Sequence, residues 1–298
     1  MCKNEENTAA SNFESQVLII IVLYNPDIEK IIKMIGVLKA ENFNMILIDN
    51  TPAIENSRLR NISLAYKKLK YLPLLENKGI AYAQNKGIAH AKQQPFISHT
   101  MFLDQDTSIE LGFVAEMLKE YKRITFEGVQ LGVLAPKLIN ERTGLSYKKN
   151  ILHLGNNYVI TDKVSSSGSL ISLSTLALVG NMEEDLFIDL VDSEWCWRAK
   201  KYKLLSCITN NIKVKHPIGE QNKTILGFEI IISAPFRYYY QYRNWIKMMW
   251  RSYVPIDWKI KTTIKYIFFM FYYPLYIKKG FNYAGYMLRG IKDGFTKN

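Results

Sequence analysis

Four apolar runs, each closed on polar residues and set apart by helical stretches, constrain this chain more than any other feature. Val17–Tyr24 (VLIIIVLY) is a continuous β-branched run ending at Asn25-Pro26, the pattern of a strand buried on both faces. Met45–Ile48 closes on Asp49-Asn50, Tyr71–Leu75 on Glu76-Asn77, and Phe102-Leu103 on Asp104-Gln105-Asp106. An amphipathic stretch runs from Ile28 to Lys39, an Ala-rich one from Gly79 to Lys92, and a third helical segment from about Glu110 to Arg123. Alternation of this kind predicts a parallel sheet with helices on both faces. Ligands of such sheets bind beyond the carboxyl ends of the strands, which here carry Tyr24-Asn25, Asp49-Asn50, Glu76-Asn77 and Asp104-Gln105-Asp106. No G-x-G-x-x-G follows the first run and no G-x-x-x-x-G-K-[ST] occurs, which disfavours a dinucleotide fold and a P-loop nucleotidase.

Past Ala135-Pro136 the alternation gives way to short strands and turns, including Ser165-Ser166-Ser167-Gly168-Ser169. A helix is expected from about Asp189 to Lys201, then a strand near Ile212–Lys215 leading to His216-Pro217-Ile218-Gly219. From about Ile230 the pattern is helical and amphipathic, with breaks expected at Pro255 and Pro274.

Charge divides the chain at the same place. The 298 residues hold 39 Lys plus Arg against 27 Asp plus Glu, a net +12. Residues 235–298 alone hold twelve of those bases and two acids, a net +10, leaving +2 for the first 234 residues. The same segment holds 20 of the 38 aromatic residues. The chain is therefore divided into a polar tail (1–15), an α/β domain (16–234) and a helical, basic and aromatic extension (235–298). A hydrophobic content of 48% excludes a disordered chain. Cys2, Cys196 and Cys207 form no Cys-x-x-Cys pair and no even-numbered framework, so a reducing compartment is expected. Met1 to Ser15 lacks the basic and apolar regions of a signal peptide. The uncharged stretch Tyr266 to Ile277 is twelve residues long, short of the roughly 20 that span a bilayer, and no transmembrane helix is expected.

Three constellations can carry chemistry. Asp104 and Asp106, two apart after an apolar strand, suit a divalent cation bridging diphosphate oxygens; the same pair can be a solvated loop with a capping aspartate. Asp192 lies near the start of the predicted helix. With Asp189 as N-cap it would sit where free N–H groups and the helix dipole favour a carboxylate, and it also suits a general base at a cleft edge. Glu194, two positions on, would point elsewhere. His216, at a strand end before Pro-x-Gly, can be a structural histidine or a third metal ligand. Gly79, Gly87 and Gly168 can be ordinary turn or close-packing glycines.

Taken in order, these residues resemble the family-2 inverting glycosyltransferases, and within them the bacterial rhamnosyltransferase-like branch. The series runs from about Val17 to Asn244 through Leu23-Tyr24-Asn25-Pro26, Ile48-Asp49-Asn50, Asn77-Lys78-Gly79-Ile80-Ala81 with Asn85-Lys86-Gly87-Ile88, and Phe102-Leu103-Asp104-Gln105-Asp106. It continues through Ser167-Gly168-Ser169, Phe187-Ile188-Asp189 with Asp192-Ser193-Glu194-Trp195, His216-Pro217-Ile218-Gly219 and Arg237-Tyr238-Tyr239-Tyr240 with Arg243-Asn244. The resemblance implies a GT-A fold: a Rossmann-like, mostly parallel sheet flanked by helices, here with the C-terminal extension. It implies that Tyr24, Asn25, Asp49 and Asn77 contact the base and ribose of a nucleoside diphosphate sugar, with Asn85 nearby. Asp104, Asp106 and His216 would hold Mg²⁺ or Mn²⁺ on the diphosphate, Asp104 thus also facing the donor, and Asp192 would be the base. Leu23 stands where many members have a small hydroxyl residue, which leaves the base preference open.

The expected function is transfer of a sugar, foremost L-rhamnose from dTDP-rhamnose, to a polyprenyl-diphosphate-linked glycan in bacterial cell-surface polysaccharide synthesis. UDP-hexose and UDP-galactofuranose are alternative donors, and a catalytically dead sugar-nucleotide module is a further alternative. The enzyme would be cytoplasmic, peripheral on the inner face of the cell membrane, its extension presenting Lys/Arg and Trp/Tyr to an anionic leaflet. Some of those aromatics can instead form a homo-oligomer contact. A nucleic-acid-binding reading of the basic, aromatic segment is opposed by the acidic sheet edge, and no nucleic-acid partner is expected.

Overall fold

The order of burial along the first strand sets the layers of the molecule. In β1 (Val17–Leu23), Val17, Ile19, Ile21 and Leu23 face one core and Leu18 and Ile20 the other, so consecutive side chains serve opposite faces. The structure, a computed structural model, describes residues 16–52, 55–140, 144, 146, 151–216, 222–225 and 228–296. β1 is flanked in parallel by β2 (Asn44–Asp49) and β4 (His99–Asp104), and β3 (Leu69–Pro73) adds to β2. Leu23 lies opposite Asp49 and Val22 opposite Asp104. The strands therefore end level, and their polar terminal residues emerge at one edge.

Beyond β4 the sheet becomes mixed. β8 (Ser169–Ser172) runs antiparallel to β4 and to β5 (Leu131–Asn140), and β9 (Leu205–His216) is parallel to β5. β7 (Tyr158–Thr161) and β6 (Ile151–Leu154) complete the order β3-β2-β1-β4-β8-β5-β9-β7-β6. β10 (Asn222–Ile225) and β11 (Phe228–Ile231) form a separate antiparallel pair.

One face of the large sheet is covered by α1 (Ile28–Ala40), α2 (Ser57–Ala65) and α4 (Phe113–Phe126), with Ile31, Met34, Ile35, Leu38 and Leu59 in that core. The other is covered by α3 (Ile80–Lys92), α5 (Leu173–Val179) and α6 (Val191–Lys200). Helix α3 lies so near β1 that a Cβ on Gly87 would fall 2.5 Å from Ile20 Cγ2, a close approach that only glycine permits.

The last three helices are α7 (Pro235–Met249), α8 (Ile256–Tyr276) and α9 (Gly280–Thr296). Tyr238, Tyr242, Trp245, Tyr266, Phe269, Tyr273 and Met287 form their own core. The Tyr242 hydroxyl donates to the Tyr266 carbonyl at 2.7 Å, and the Tyr238 and Tyr273 hydroxyls meet at 2.5 Å, so the polar ends of these rings are partnered inside the cluster. A Cβ on Gly290 would fall 2.3 Å from the Tyr239 carbonyl oxygen. This helical unit is joined to the sheet domain by Met248 and Val254, which enter its core, and by the Trp197–Trp258 ring contact at 4.9 Å.

Two boundaries differ from expectation. Pro274 does not break α8, which continues to Tyr276; the proline removes one backbone donor so close to the helix end that little helix remains beyond it to disrupt. The helix expected from Asp189 begins at Val191, with Leu190 rather than Asp189 at its cap position and no side-chain cap bond. Asp189 is engaged elsewhere.

Candidate active site

The ends of β1 and β2 form the first wall of the site. Asp49 is 3% exposed, and both carboxylate oxygens accept hydrogen bonds: Oδ1 from the Thr51 amide at 3.0 Å and Oδ2 from the Tyr71 hydroxyl at 2.7 Å. Tyr71 itself accepts from the Asn56 amide at 3.0 Å. Burial, together with the adjacent Asp49, pushes its phenol up to about 12, so Tyr71 remains a donor across the neutral range. Asn25 adopts a left-handed φ of 45°, which asparagine tolerates, and its amide donates to Thr51 Oγ1 at 2.8 Å. Asn25, Asp49, Thr51, Asn56 and Arg58 line an open pocket of about 510 Å³. Tyr24 is 45% exposed at its edge. Acceptors and amides fixed in this way suit the hydroxyls and amides of a nucleoside.

Asn50 and Asn77 shape the neighbouring turn. Buried Asn50 donates from Nδ2 to the Gly79 carbonyl and accepts at Oδ1 from the Lys78 amide, both at 3.0 Å. Asn77 Oδ1 accepts from the Gly79 amide at 3.1 Å, a local Asx turn. Gly79 has φ 85°, and a Cβ there would fall 2.5 Å from the Phe187 carbonyl oxygen. Asn85 reaches away from this edge: its amide donates to the Met182 carbonyl and Glu184 Oε1 and accepts from the Met182 amide. It thereby fastens α3 to the loop before α6.

The turn after β4 holds the acidic pair. Gln105 accepts from the Tyr24 amide at 2.8 Å and donates to the Tyr24 carbonyl at 3.1 Å. This two-point clamp fixes the β1 end against the turn carrying Asp104, which is half-buried, and Asp106, which is exposed. Thr107 and Ser167 share a buried hydroxyl contact at 2.6 Å, tying the Ser165–Ser169 stretch to the same turn. A bridge between Ser108 and Lys215 brings the end of β9, and with it the backbone of His216, beside the turn. The His216 side chain lies outside the described residues, as do Pro217, Ile218 and Gly219. Among the described residues no three His, Cys, Asp or Glu side chains cluster as a metal site. Two carboxylates on one turn at an open edge nevertheless fit Mg²⁺ or Mn²⁺, which prefer hard oxygen ligands.

The opposite wall is the loop leading into α6. Phe187, Asp189 and Leu190 have φ of 63°, 63° and 67°. Left-handed backbone at a non-glycine residue costs about 1–2 kcal/mol, and it persists only where the surroundings over-determine it. Ile80 donates its amide to the Phe187 carbonyl at 2.7 Å, which joins this loop to the Gly79 turn and so to the wall at the ends of β1 and β2. Asp192, the second residue of α6, lines a small cleft with Ser165, Ser166, Ser169, Gln84 and Met182. Gln84 is 3% exposed, and its Oε1 has no partner among the described residues.

What holds the strained loop comes from one face of α7 and its continuation. Asn244, fully buried, donates from Nδ2 to the carbonyls of Leu186, Ile188 and Asp189 at 2.8–3.0 Å. Arg237 pairs with Asp189 through Nη2 at 2.5 Å and Nε at 3.3 Å, and Tyr240 stacks on Phe187 with ring centroids 4.5 Å apart. Arg243 donates to the Asp185 carbonyl, and Lys247 pairs with the Asp185 carboxylate. Glu194 is fully buried and carries Arg198 at 2.9 Å, Arg251 at 3.2 Å and the Tyr253 hydroxyl at 2.6 Å. Burial, reinforced by Glu194, pushes the Tyr253 phenol up to about 12. Glu194 is thus committed to the internal charge network, whereas Asp192 faces the cleft.

Sequence reasoning placed Tyr24, Asn25, Asp49, Asn77, Asp104, Asp106 and Asp192 along this edge but did not see what organises them. Gln105 and Asn50, named at the strand ends without a role, and Tyr71 hold the first wall. Asn244 and Arg237, named in the resemblance without a role, hold the opposite wall. The spacing of Arg237, Tyr240, Arg243-Asn244, Lys247 and Arg251, three or four residues apart, was the available signal, since it puts one polar set on one helical face.

Comparison with known proteins agrees with this geometry. The family model described as "Glycosyl transferase family 2" matches residues 18–167. A dTDP-rhamnosyl transferase of Shigella flexneri, RfbF, is 29% identical over 262 residues, covering 84% of this chain and 85% of the relative. Among solved structures, GalNAc-T7 with UDP, GalNAc and Mn²⁺ superposes with a TM-score of 0.58 at 11% identity, over 95% of this chain. This chain spans 56% of that protein's length, and the likeness is one of fold. The architecture is GT-A, with the helical region at its C-terminus.

Proposed function

The chain belongs to glycosyl transferase family 2, and from that premise we propose that it transfers L-rhamnose from dTDP-rhamnose, with inversion, to a lipid-linked glycan acceptor. The observation that carries the reading is the meeting of two walls at one sheet edge. A polar nucleoside pocket around Asp49 is joined, through the Ile80–Phe187 hydrogen bond, to the loop that presents Asp192. Similarity to a dTDP-rhamnosyl transferase over most of both chains supports the choice of donor.

In this reading Asn25 and Asp49 hold the nucleoside, with Tyr24 against its exposed side and the Asn77 turn closing the pocket. Asp104 and Asp106, with His216, would hold a divalent cation, which would supply Lewis-acid stabilisation of the departing diphosphate. Asp192 accepts the proton of an acceptor hydroxyl. The oxygen attacks the anomeric carbon from the face opposite the nucleotide as the bond to the diphosphate breaks. The products are an inverted glycoside, the nucleoside diphosphate and a protonated Asp192. No covalent enzyme intermediate is involved. The basic extension keeps the protein at an anionic membrane surface, where such an acceptor resides.

The test is release of nucleoside diphosphate from a panel of sugar nucleotides, with Mg²⁺ or Mn²⁺ and a polyprenyl-diphosphate-linked acceptor. Release from dTDP-rhamnose above UDP-galactose and UDP-galactofuranose is expected; no metal-stimulated release from any donor overturns the proposal.

A further inference from the structure

Helix α8 is apolar on two opposite faces. Tyr266, Phe269 and Tyr273 are buried against α7 and α9. About half a turn away, Ile256, Ile260, Ile264, Ile267, Phe271 and Leu275 recur at three- and four-residue spacing and are 47–72% exposed. The stripe spans twenty residues of the helix, about 29 Å at the α-helical rise. Helix α9 shows a second row, Phe281, Leu288 and Phe295, 56–78% exposed at seven-residue spacing. Monomeric soluble proteins rarely expose so continuous an apolar surface without a use for it.

We infer that this stripe lies in the plane of a lipid surface, with α8 embedded along its length, and that attachment is driven by apolar insertion rather than by charge alone. The cations on the page favour lipid as the occupant. Lys278 and Lys279 are exposed just beyond α8, and Lys261 and Lys265 are exposed along it, Lys261 3.5 Å from Asp257 and Lys265 over the Tyr266 and Phe269 rings; cations flanking an apolar stripe are the arrangement of an interfacial helix. A second copy of the chain would bring the exposed lysines of the two extensions together, and like charges repel. None of the described helices is long and apolar enough to cross a membrane, so the stripe lies on the surface.

The structure also reduces the electrostatic share. Of the twelve bases after residue 234, Arg237, Arg243, Lys247, Arg251 and Lys259 donate to carboxylates or carbonyls within the protein. They are spent on the loop before α6 and on the α7–α8 junction, and are not available to a headgroup.

The inference extends the lipid-borne acceptor of the proposed function. Its test reads binding without turnover, so its failure and that of the transferase reading are separate outcomes. The full-length protein is sedimented with phosphatidylcholine vesicles and with phosphatidylcholine–phosphatidylglycerol vesicles, at low salt and in about 0.5 M NaCl, where charge is screened within a few ångströms. Binding to both vesicle types is expected, tighter on the anionic one and persisting on the neutral one in high salt. The Ile264→Asp/Phe271→Asp variant should partition about a hundredfold more weakly on both, a loss of about 1.4 kcal/mol per site. Lys278→Gln/Lys279→Gln should lower only the anionic preference. Leu275→Asp alone, checked by thermal unfolding, gives the same reading if the double variant does not fold. The inference is overturned by wild-type protein that binds neither vesicle, by an aspartate variant that binds as wild type does, or by a wild-type dimer that the variant converts to a monomer.

Discussion

The two walls of the site are built by different means. The wall proposed to hold the nucleoside is fixed by short-range contacts: Asp49 by Thr51 and Tyr71, Gly79 by Asn50 and Asn77. Most of these partners lie within about thirty positions, on strands the hydrophobic core already fixes. The wall presenting Asp192 is a left-handed loop gripped from about fifty residues downstream by Arg237, Tyr240 and Asn244. Damage to the first should weaken donor binding, and damage to the second should slow transfer while leaving the donor bound.

The largest expected effect is at the base. Asp192→Asn should lower turnover by about 10²–10⁴-fold, the range for removal of a general base, with donor affinity by calorimetry unchanged. Weaker donor binding in proportion would move Asp192 to the nucleoside wall. Glu194→Ala should destabilise the protein by about 3–5 kcal/mol, because Arg198 and Arg251 would lose a buried carboxylate; denaturant unfolding measures this, and Glu194→Gln should recover part of it. Asn244→Leu removes two N–H groups shared among three carbonyls of the strained loop, a loss of about 2 kcal/mol at about 1 kcal/mol per N–H. A drop in kcat of at least about tenfold is expected, with a lower melting temperature. Smallest is Tyr71→Phe, which leaves the Thr51 amide as the donor to the Asp49 carboxylate among the described residues. It should weaken dTDP binding by about tenfold or less, again about 1 kcal/mol, with kcat held.

The same contrast explains what could be read from the sequence. The parallel half of the sheet was legible because Val17–Leu23 and Asn44–Asp49 are buried on both faces, which leaves a continuous apolar run, and because each ends in residues that cannot be buried unpaired. Asp49 and Asp104 stand out as carboxylates at strand ends, and Asp192 as one near a helix start. Nothing local announced that Phe187, Asp189 and Leu190 would be left-handed, since none is glycine and the cause lies in α7. For the same reason Asp189 looked like a helix cap until Arg237 was seen to hold it. The antiparallel insertion of β8 between β4 and β5 was hidden as well, because Ser169–Ser172 is only four residues long and carries no period of its own. The basicity after residue 234 divides in the structure into a clamp on the loop before α6 and an exposed remainder along α8 and α9.

The central claim is that α7 positions the transferring half of the site without touching the donor half. Arg237→Met tests it most directly, by measuring kcat and dTDP-rhamnose affinity on the same preparation. Expected is a fall in kcat of about tenfold or more with donor affinity within about twofold of wild type, and partial recovery by Arg237→Lys. Unchanged kcat, or a loss of donor affinity in parallel with kcat, would contradict it.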